Sequence, residues 1–372
     1  MEKKKNIFYV CAVAVVFLGL TVMVWLKPAD DFSITERRKL ARFPKLSTDN
    51  IFRGMFMEQF ETYTLDQFPF RDKFRSIKAL THRYVFGQSD NNGVYMVDGY
   101  VSKMDYPLSE KALENAVEKF QSIYESYIEG SMAKVYYSVI PDKNYFLAKE
   151  NGYLSYDYEK MYDYLKEHLP NMTYIDITGL LALDDFYYTD THWKQECILD
   201  VAQALGTAMG VTISKEYKSV TLDTPFYGVY YGQLALPIEP DSITYLEHEN
   251  FDDCIIINHE NGQEIPMYHM EKAVGRDSYE MYLSGSLSVI TIENPHVTTD
   301  KELVIFRDSF GSSLAPLLVE GYQKITILDA RYLNEAMIEK FVEFDTQDVL
   351  FIHSTGVINN ETAFNFSKQN YN

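Results

Sequence analysis

The first pattern along the chain is an uncharged, mostly apolar run from Asn6 to Leu26, behind Glu2-Lys3-Lys4-Lys5. Ile7 to Leu26 is 20 residues, about the ~30 Å hydrocarbon thickness at 1.5 Å per residue. Residues 27–50 are polar, carry Pro28 and Pro44, and read as a stalk. From 51 to 86, Phe52, Phe56, Phe60, Tyr63 and Phe68 recur at helical spacing, followed by Phe70, Phe74, Ile77 and Leu80. This aromatic stripe is expected to pack against the main domain. Gln88 to Gly93 is a turn cluster, and Val94 to Val101 reads as a hairpin with Asp98-Gly99 at its tip.

Short apolar runs then alternate with helical patterns. Helices are expected over Ser109–Ile128, Tyr156–His168, from Trp193 to about Met209, from Gly311, and over Leu333–Phe344. Strands are expected at Val135–Ile140, Thr173–Ile177, Glu302–Phe306, Lys324–Leu328 and Asp348–Ile352. Residues 211–300 are turn-rich and read as a mainly β insertion. Asn359 to Asn372 is polar and reads as a frayed end. Short apolar strands separated by helices imply βαβ units and a parallel sheet covered on both faces. The expected organisation is a tip at 1–5, a membrane helix at 6–26, a stalk and helical segment at 27–92, and an α/β domain at 93–372.

Composition sharpens this picture. The 372 residues carry 34 Lys+Arg against 54 Asp+Glu, a formal net charge of −20. Such acidity argues against nucleic-acid binding, which needs a basic surface. Three lysines before the apolar run favour a cytoplasmic N-terminus and an exported remainder. A cleaved signal peptide is the rival reading, but Trp25-Leu26-Lys27-Pro28-Ala29 offers no small-x-small site. Cys11 lies in the apolar run, so Cys197 and Cys254 are the only pair outside it; whether they are bridged stays open.

Two segments carry candidate chemistry. In Leu303–Gly311 a buried strand runs into Asp308-Ser309 and then a helix. Ser309 would stand at the carboxyl end of a parallel strand and at a helix N-terminus, where an oxyanion can be stabilised. A plain helix cap explains the same residues. In Tyr187–Trp193, Asp190 and His192 stand two residues apart at an expected helix start. His192 could take the proton of a serine hydroxyl and Asp190 could orient its ring. A cap and a packed histidine are the plain alternatives, and as a metal site Asp-x-His offers only two ligands. Together the segments supply nucleophile, base and orienter.

Asp190-Thr191-His192-Trp193 followed by Arg307-Asp308-Ser309-Phe310-Gly311 resembles the DHHW proteins, relatives of the SGNH-hydrolase-like domains of alginate O-acetylation proteins. Ile34–Leu40 with Phe43-Pro44, Phe60–Tyr63, Asp66–Asp72, Val139–Lys143, and Phe226–Tyr230 with Pro240-Asp241 resemble further landmarks of the family. The resemblance implies a three-layer SGNH/flavodoxin-like α/β fold with the Asp-x-His motif before the serine. It implies Ser309 as nucleophile, His192 as base and Asp190 as its partner, with no cofactor. Where the family often carries Gly-Gly-Asn, this chain has Leu283-Ser284-Gly285-Ser286, so an asparagine donor is absent. The Ser309 N–H remains, and Ser286, Gly285 and Gly311 are the other oxyanion or substrate candidates. The implied activity is a membrane-anchored, extracytoplasmic O-acetyltransferase acting on a cell-envelope or secreted polysaccharide. Its acyl groups would come from a membrane-bound O-acyltransferase partner. An acetyl-esterase with the same three residues, and a non-catalytic polysaccharide-binding or assembly subunit, are the alternatives.

Overall fold

The computed structural model describes residues 2–33 and 35–364. These fall into two units, Met1–Asn92 with Tyr231–Glu239, and Gly93–Tyr230 with Pro240–Asn372.

The first unit begins with helix α1, Glu2–Leu26, 25 residues that include an 18-residue stretch with a mean hydropathy of 2.7. It is long and apolar enough to cross a bilayer. The aromatic segment divides into α2 (Thr48–Phe52), α3 (Met55–Asp66) and α4 (Arg71–Tyr84). The breaks fall at Gly54, with φ at 75°, and at Pro69-Phe70, where Phe70 adopts φ of 57°. The stripe is only partly buried: Phe52 is 90% exposed, and Phe70, Phe74 and Ile77 are also exposed, whereas Tyr63 is buried and Phe56, Phe60, Phe68 and Leu80 are half-buried. The unit also buries polar side chains. Asp66 accepts two hydrogen bonds from the Arg38 guanidinium and one from the Ala41 N–H (2.8 Å), while Gln67 bonds Asp30 and Ala41. Glu36 pairs with Arg71 and Arg75.

The second unit is built on an eight-stranded sheet. Its strands are β1 (Lys134–Ile140), β2 (Thr173–Tyr174), β3 (Ile255–Asn258), β4 (Gln263–Glu264), β5 (Val289–Glu293), β6 (Glu302–Arg307), β7 (Lys324–Leu328) and β8 (Asp348–Ser354). They lie in the order β4-β3-β5-β7-β6-β8-β1-β2. The strands from β7 to β2 are parallel; β5, β3 and β4 extend one edge antiparallel. The 211–300 stretch therefore supplies three strands of the central sheet, besides a separate ribbon of Lys218–Phe226 with Asp241–Glu247.

Alternation along each strand sorts the two faces. Leu303 and Ile305 face a core closed by Leu199–Ala208 and Gly311–Leu318. Val304 and Phe306 face the other, closed by Glu110–Ile123 and Tyr158–His168. This is a three-layer α/β/α arrangement. The hairpin turns at Asp98-Gly99, both at positive φ, as the dipeptide requires.

Two local expectations differ. Leu333–Phe344 contains only a 3-10 turn at Glu335–Lys340. Ile338 and Phe341, three apart, share one face there and pack into the same core. Residues 359–364 are not frayed: Phe364 is buried against Phe120 and His353, and Asn359 accepts from the Ser109 N–H. Residues 365–372 lie outside the described residues. The cysteines are free thiols.

Candidate active site

Parallel strands align their carboxyl ends, and three neighbours end together here: β6 runs into Asp308-Ser309, β8 into Ser354-Thr355, and β1 into Asp142-Lys143. Asp308 is fully buried. Its carboxylate accepts from the Ser354 N–H and hydroxyl (both 2.7 Å) and from the Phe310 N–H (3.0 Å). Burial alone would raise its pKa; Arg331, His353 and the Ser354 donors outweigh that and hold it below the usual range. Asp308 thus ties strand to strand and shapes the turn from which Ser309 projects.

Asp190 and His192 reach the same place from a loop, not from a helix start; the helix expected after Trp193 begins only at Leu199. The loop is closed by a bridge between Phe186 and Trp193 and by Tyr187 N–H donating to the His192 carbonyl. Asp190 Oδ1 accepts both the His192 backbone N–H (3.1 Å) and Nδ1–H (2.6 Å). A spacing of two permits this, because a carboxylate readily caps the amide two residues on. Its Oδ2 accepts from the Val229 N–H at 2.8 Å. With the Nδ1 proton in place, His192 Nε2 accepts the Ser309 hydroxyl at 2.8 Å. Asp190 and His192 are buried, and Ser309 is half-buried. All three sequence candidates therefore stand in one hydrogen-bonded chain.

The supporting contacts are equally specific. Lys143, buried at the end of β1, donates to the carbonyls of Tyr187 (2.7 Å) and Tyr188 (3.0 Å). Burial pulls its pKa down to about 7, against the pull of Asp190 and Asp241. Asp241 accepts from the N–H groups of Tyr188 and Thr189 and from the Thr189 hydroxyl, at 2.6–2.7 Å. Gly228 donates to that hydroxyl, and a Cβ on Gly228 would land on the Thr189 carbonyl. Tyr279 stacks on the His192 ring at 3.8 Å and 10°, with its hydroxyl on Ser313, one turn along the helix from Ser309. Trp193 Nε1 and Gln195 Nε2 donate to the hydroxyl and carbonyl of the same Ser313.

The remaining candidates fare differently. The Gly311 N–H donates to the Asp308 carbonyl, and the Gly285 N–H to the Tyr282 carbonyl, so both amides are occupied by turns. Gly311 acts by absence: a Cβ there would strike the side chain of Arg307. Gly285 stands at φ of 90°, after Leu283 and Ser284 at 48° and 61°. The Gly285 and Leu287 carbonyls accept from buried Arg307, which pins this loop beneath the helix start. Ser286 is on the loop's exposed side. Asp241, Gly228 and Lys143 lay within segments noticed only by resemblance; Tyr279, one of 30 tyrosines, and Ser313 gave no signal in the sequence.

No protein-family model matches the chain, and no curated protein does. Solved structures do. A DHHW family protein from Eubacterium siraeum superposes with a TM-score of 0.60 at 20% identity, covering 74% of this chain and 94% of its own. Bacillus cereus PatB1 carrying a sulfonyl adduct follows at TM-score 0.57 and 16% identity, over 74% and 100%. The O-acetyltransferase domain of Pseudomonas putida AlgJ matches at TM-score 0.43 and 10% identity, over 72% and 92%. The chain has the fold of the DHHW family protein and of PatB1.

Proposed function

We propose that this chain is a membrane-anchored, extracytoplasmic serine O-acetyltransferase that modifies a polysaccharide through an acyl-Ser309 intermediate. The observation that carries this reading is the Asp190–His192–Ser309 chain, with its 2.6 and 2.8 Å links. A serine hydroxyl needs a base to become a nucleophile, and a base needs a fixed tautomer. In the first half-reaction Ser309 Oγ attacks the acyl carbonyl and its proton passes to His192 Nε2. The oxyanion meets the Ser309 N–H, and the leaving group departs with the proton from His192. In the second half-reaction His192 takes the proton of a sugar hydroxyl, which attacks the acyl-serine and regenerates Ser309. Asp190 stabilises the imidazolium at both stages. Ser286, exposed just after the positive-φ run Leu283–Gly285, is the further candidate to donate to the oxyanion or the sugar.

The apolar α1 and the lysines before it support the anchor. Acetyl-CoA does not occur outside the cytoplasm, so the acyl group would arrive from a membrane-bound O-acyltransferase. The test is the full chain in detergent with p-nitrophenyl acetate, wild type beside Ser309→Ala and His192→Ala. Mass spectrometry follows one added acetyl on the Ser309 peptide. Turnover lost in both variants, with acetyl moving to an oligosaccharide acceptor, supports the transferase. Release of acetate alone in the presence of acceptors supports an esterase. Folded protein with neither turnover nor adduct rejects both.

A further inference from the structure

Trp25 lies in the last turn of α1, where a helix of hydrocarbon length reaches the headgroups. Its ring lies 6.2 Å from Phe43 and 6.4 Å from Phe60. Phe43 in turn touches Phe56 and Tyr63. An aromatic cluster therefore continues from the end of the helix into the α2–α3 segment. Beside it Leu46, Ile51, Phe52 and Met57 are exposed, Met57 at 66%. Among the described residues of this unit, no protein surface covers them. Clustered exposure of this kind marks an interaction surface and is rare on a soluble face.

Charge narrows the choice of occupant. Residues 27–53 carry seven Lys and Arg against four Asp and Glu, in a chain of net −20. Aromatic rings mixed with leucine, isoleucine and methionine in a segment of net positive charge form the chemistry of a lipid–water interface. The distance argument agrees. The headgroup layer is about 5–8 Å thick on each side, and the Phe43 and Phe60 rings stand within one such thickness of Trp25.

We infer that the Phe43, Leu46, Ile51, Phe52 and Met57 face is embedded in the outer headgroup layer of the membrane that α1 crosses. The inference rests on the anchor reading and holds whether or not the second unit is catalytic. The apolar side chains lose water on insertion, and because Lys27, Arg38, Arg42 and Arg53 pair with Asp30, Asp66, Asp31 and Asp49, it is the net excess of three cations that favours anionic lipid.

The test reconstitutes the full chain in protein-free vesicles of phosphatidylcholine and phosphatidylglycerol at three to one. A protease site placed between Ala29 and Asp30 is cut after reconstitution, and the vesicles are floated in 1 M NaCl. The severed ectodomain is expected to float with the lipid. Phe52→Glu with Met57→Glu is expected to lower the bound fraction about tenfold or more, since each loses a buried apolar side chain. Both positions are exposed, so far-ultraviolet circular dichroism should stay unchanged. Release of the wild-type ectodomain, or retention of the double variant, overturns the inference. Retention only when a second membrane protein is present overturns it in favour of a protein partner. If the uncut chain itself fails to float, the anchor reading fails instead.

Discussion

The two units use apolar side chains in opposite ways. In the second, alternate residues of each central strand enter one of two large cores, and its surface is acidic: 19 Lys and Arg stand against 43 Asp and Glu. In the first, 15 stand against 11, phenylalanines lie outside, and Asp66, Gln67 and Ser33 are buried. A core that excludes water stabilises a fold through buried area. A buried carboxylate does so only while its guanidinium partner stays charged and in register. One unit is thus built around two dry cores and carries the Asp190–His192–Ser309 chain. The other buries ion-paired side chains and leaves apolar ones exposed.

The sharpest division should come from Ser309→Ala and His192→Ala. Each should cut acyl transfer by on the order of 10³-fold or more, as for other serine–histidine pairs, with vesicle retention unchanged by flotation. Next come two glycines four residues apart. A Cβ on Gly228 strikes the Thr189 backbone, and one on Gly232 strikes the Thr35 carbonyl. Neither backbone can yield cheaply, so each alanine variant should cost about 2–4 kcal/mol. Gly228→Ala should lower activity together with stability. Gly232→Ala should expose the first unit to hydrogen exchange with the acyl-serine chemistry intact.

Acidity should move the units in opposite senses. Burial raises Glu196 to about 7, so the folded second unit holds a proton that the unfolded chain releases above about 4.5. Its stability should therefore fall as pH rises from about 4.5 to 7, by on the order of 1 kcal/mol per pH unit at most. Glu196→Gln should flatten that slope in denaturant titrations. In the first unit the Arg38 hydrogen bonds hold Asp66 below its ordinary range. Glu36 is raised by burial but lowered further by Arg71 and Arg75. That stabilisation is present near neutrality and is lost as pH falls below about 4. Hydrogen exchange at pH 6 and pH 3 should show the first unit loosening on acidification. The smallest effect belongs to Phe52→Glu in detergent, which should shift stability by no more than about 0.5 kcal/mol because the ring is exposed.

Much of the second unit was legible because its signals are local. The runs at Val135–Ile140, Glu302–Phe306 and Asp348–Ile352 are apolar throughout, as strands buried on both faces must be. The Asp190, His192 and Ser309 side chains were readable because few residue types can do this chemistry. The antiparallel edge was not, since β3 and β5 are short and lie among turns. Tyr279 was hidden because stacking on a ring leaves no mark on residue type. The stripe from Phe52 to Leu80 is helical as its spacing predicts, but Phe52, Phe70, Phe74 and Ile77 are exposed. Periodicity reports that a face avoids water, and does not say whether protein or lipid receives it.

The Asp190 to His192 contact closes within three residues, while the step from His192 to Ser309 spans 117 positions. The first forms with its own loop. The second must wait until β6 has docked between β7 and β8, a late and slow event for so non-local a pairing. The His192–Ser309 hydrogen bond is therefore absent on a nascent or half-threaded chain, and on the proposed mechanism the onset of acyl-serine chemistry would serve as a clock for completion of the sheet.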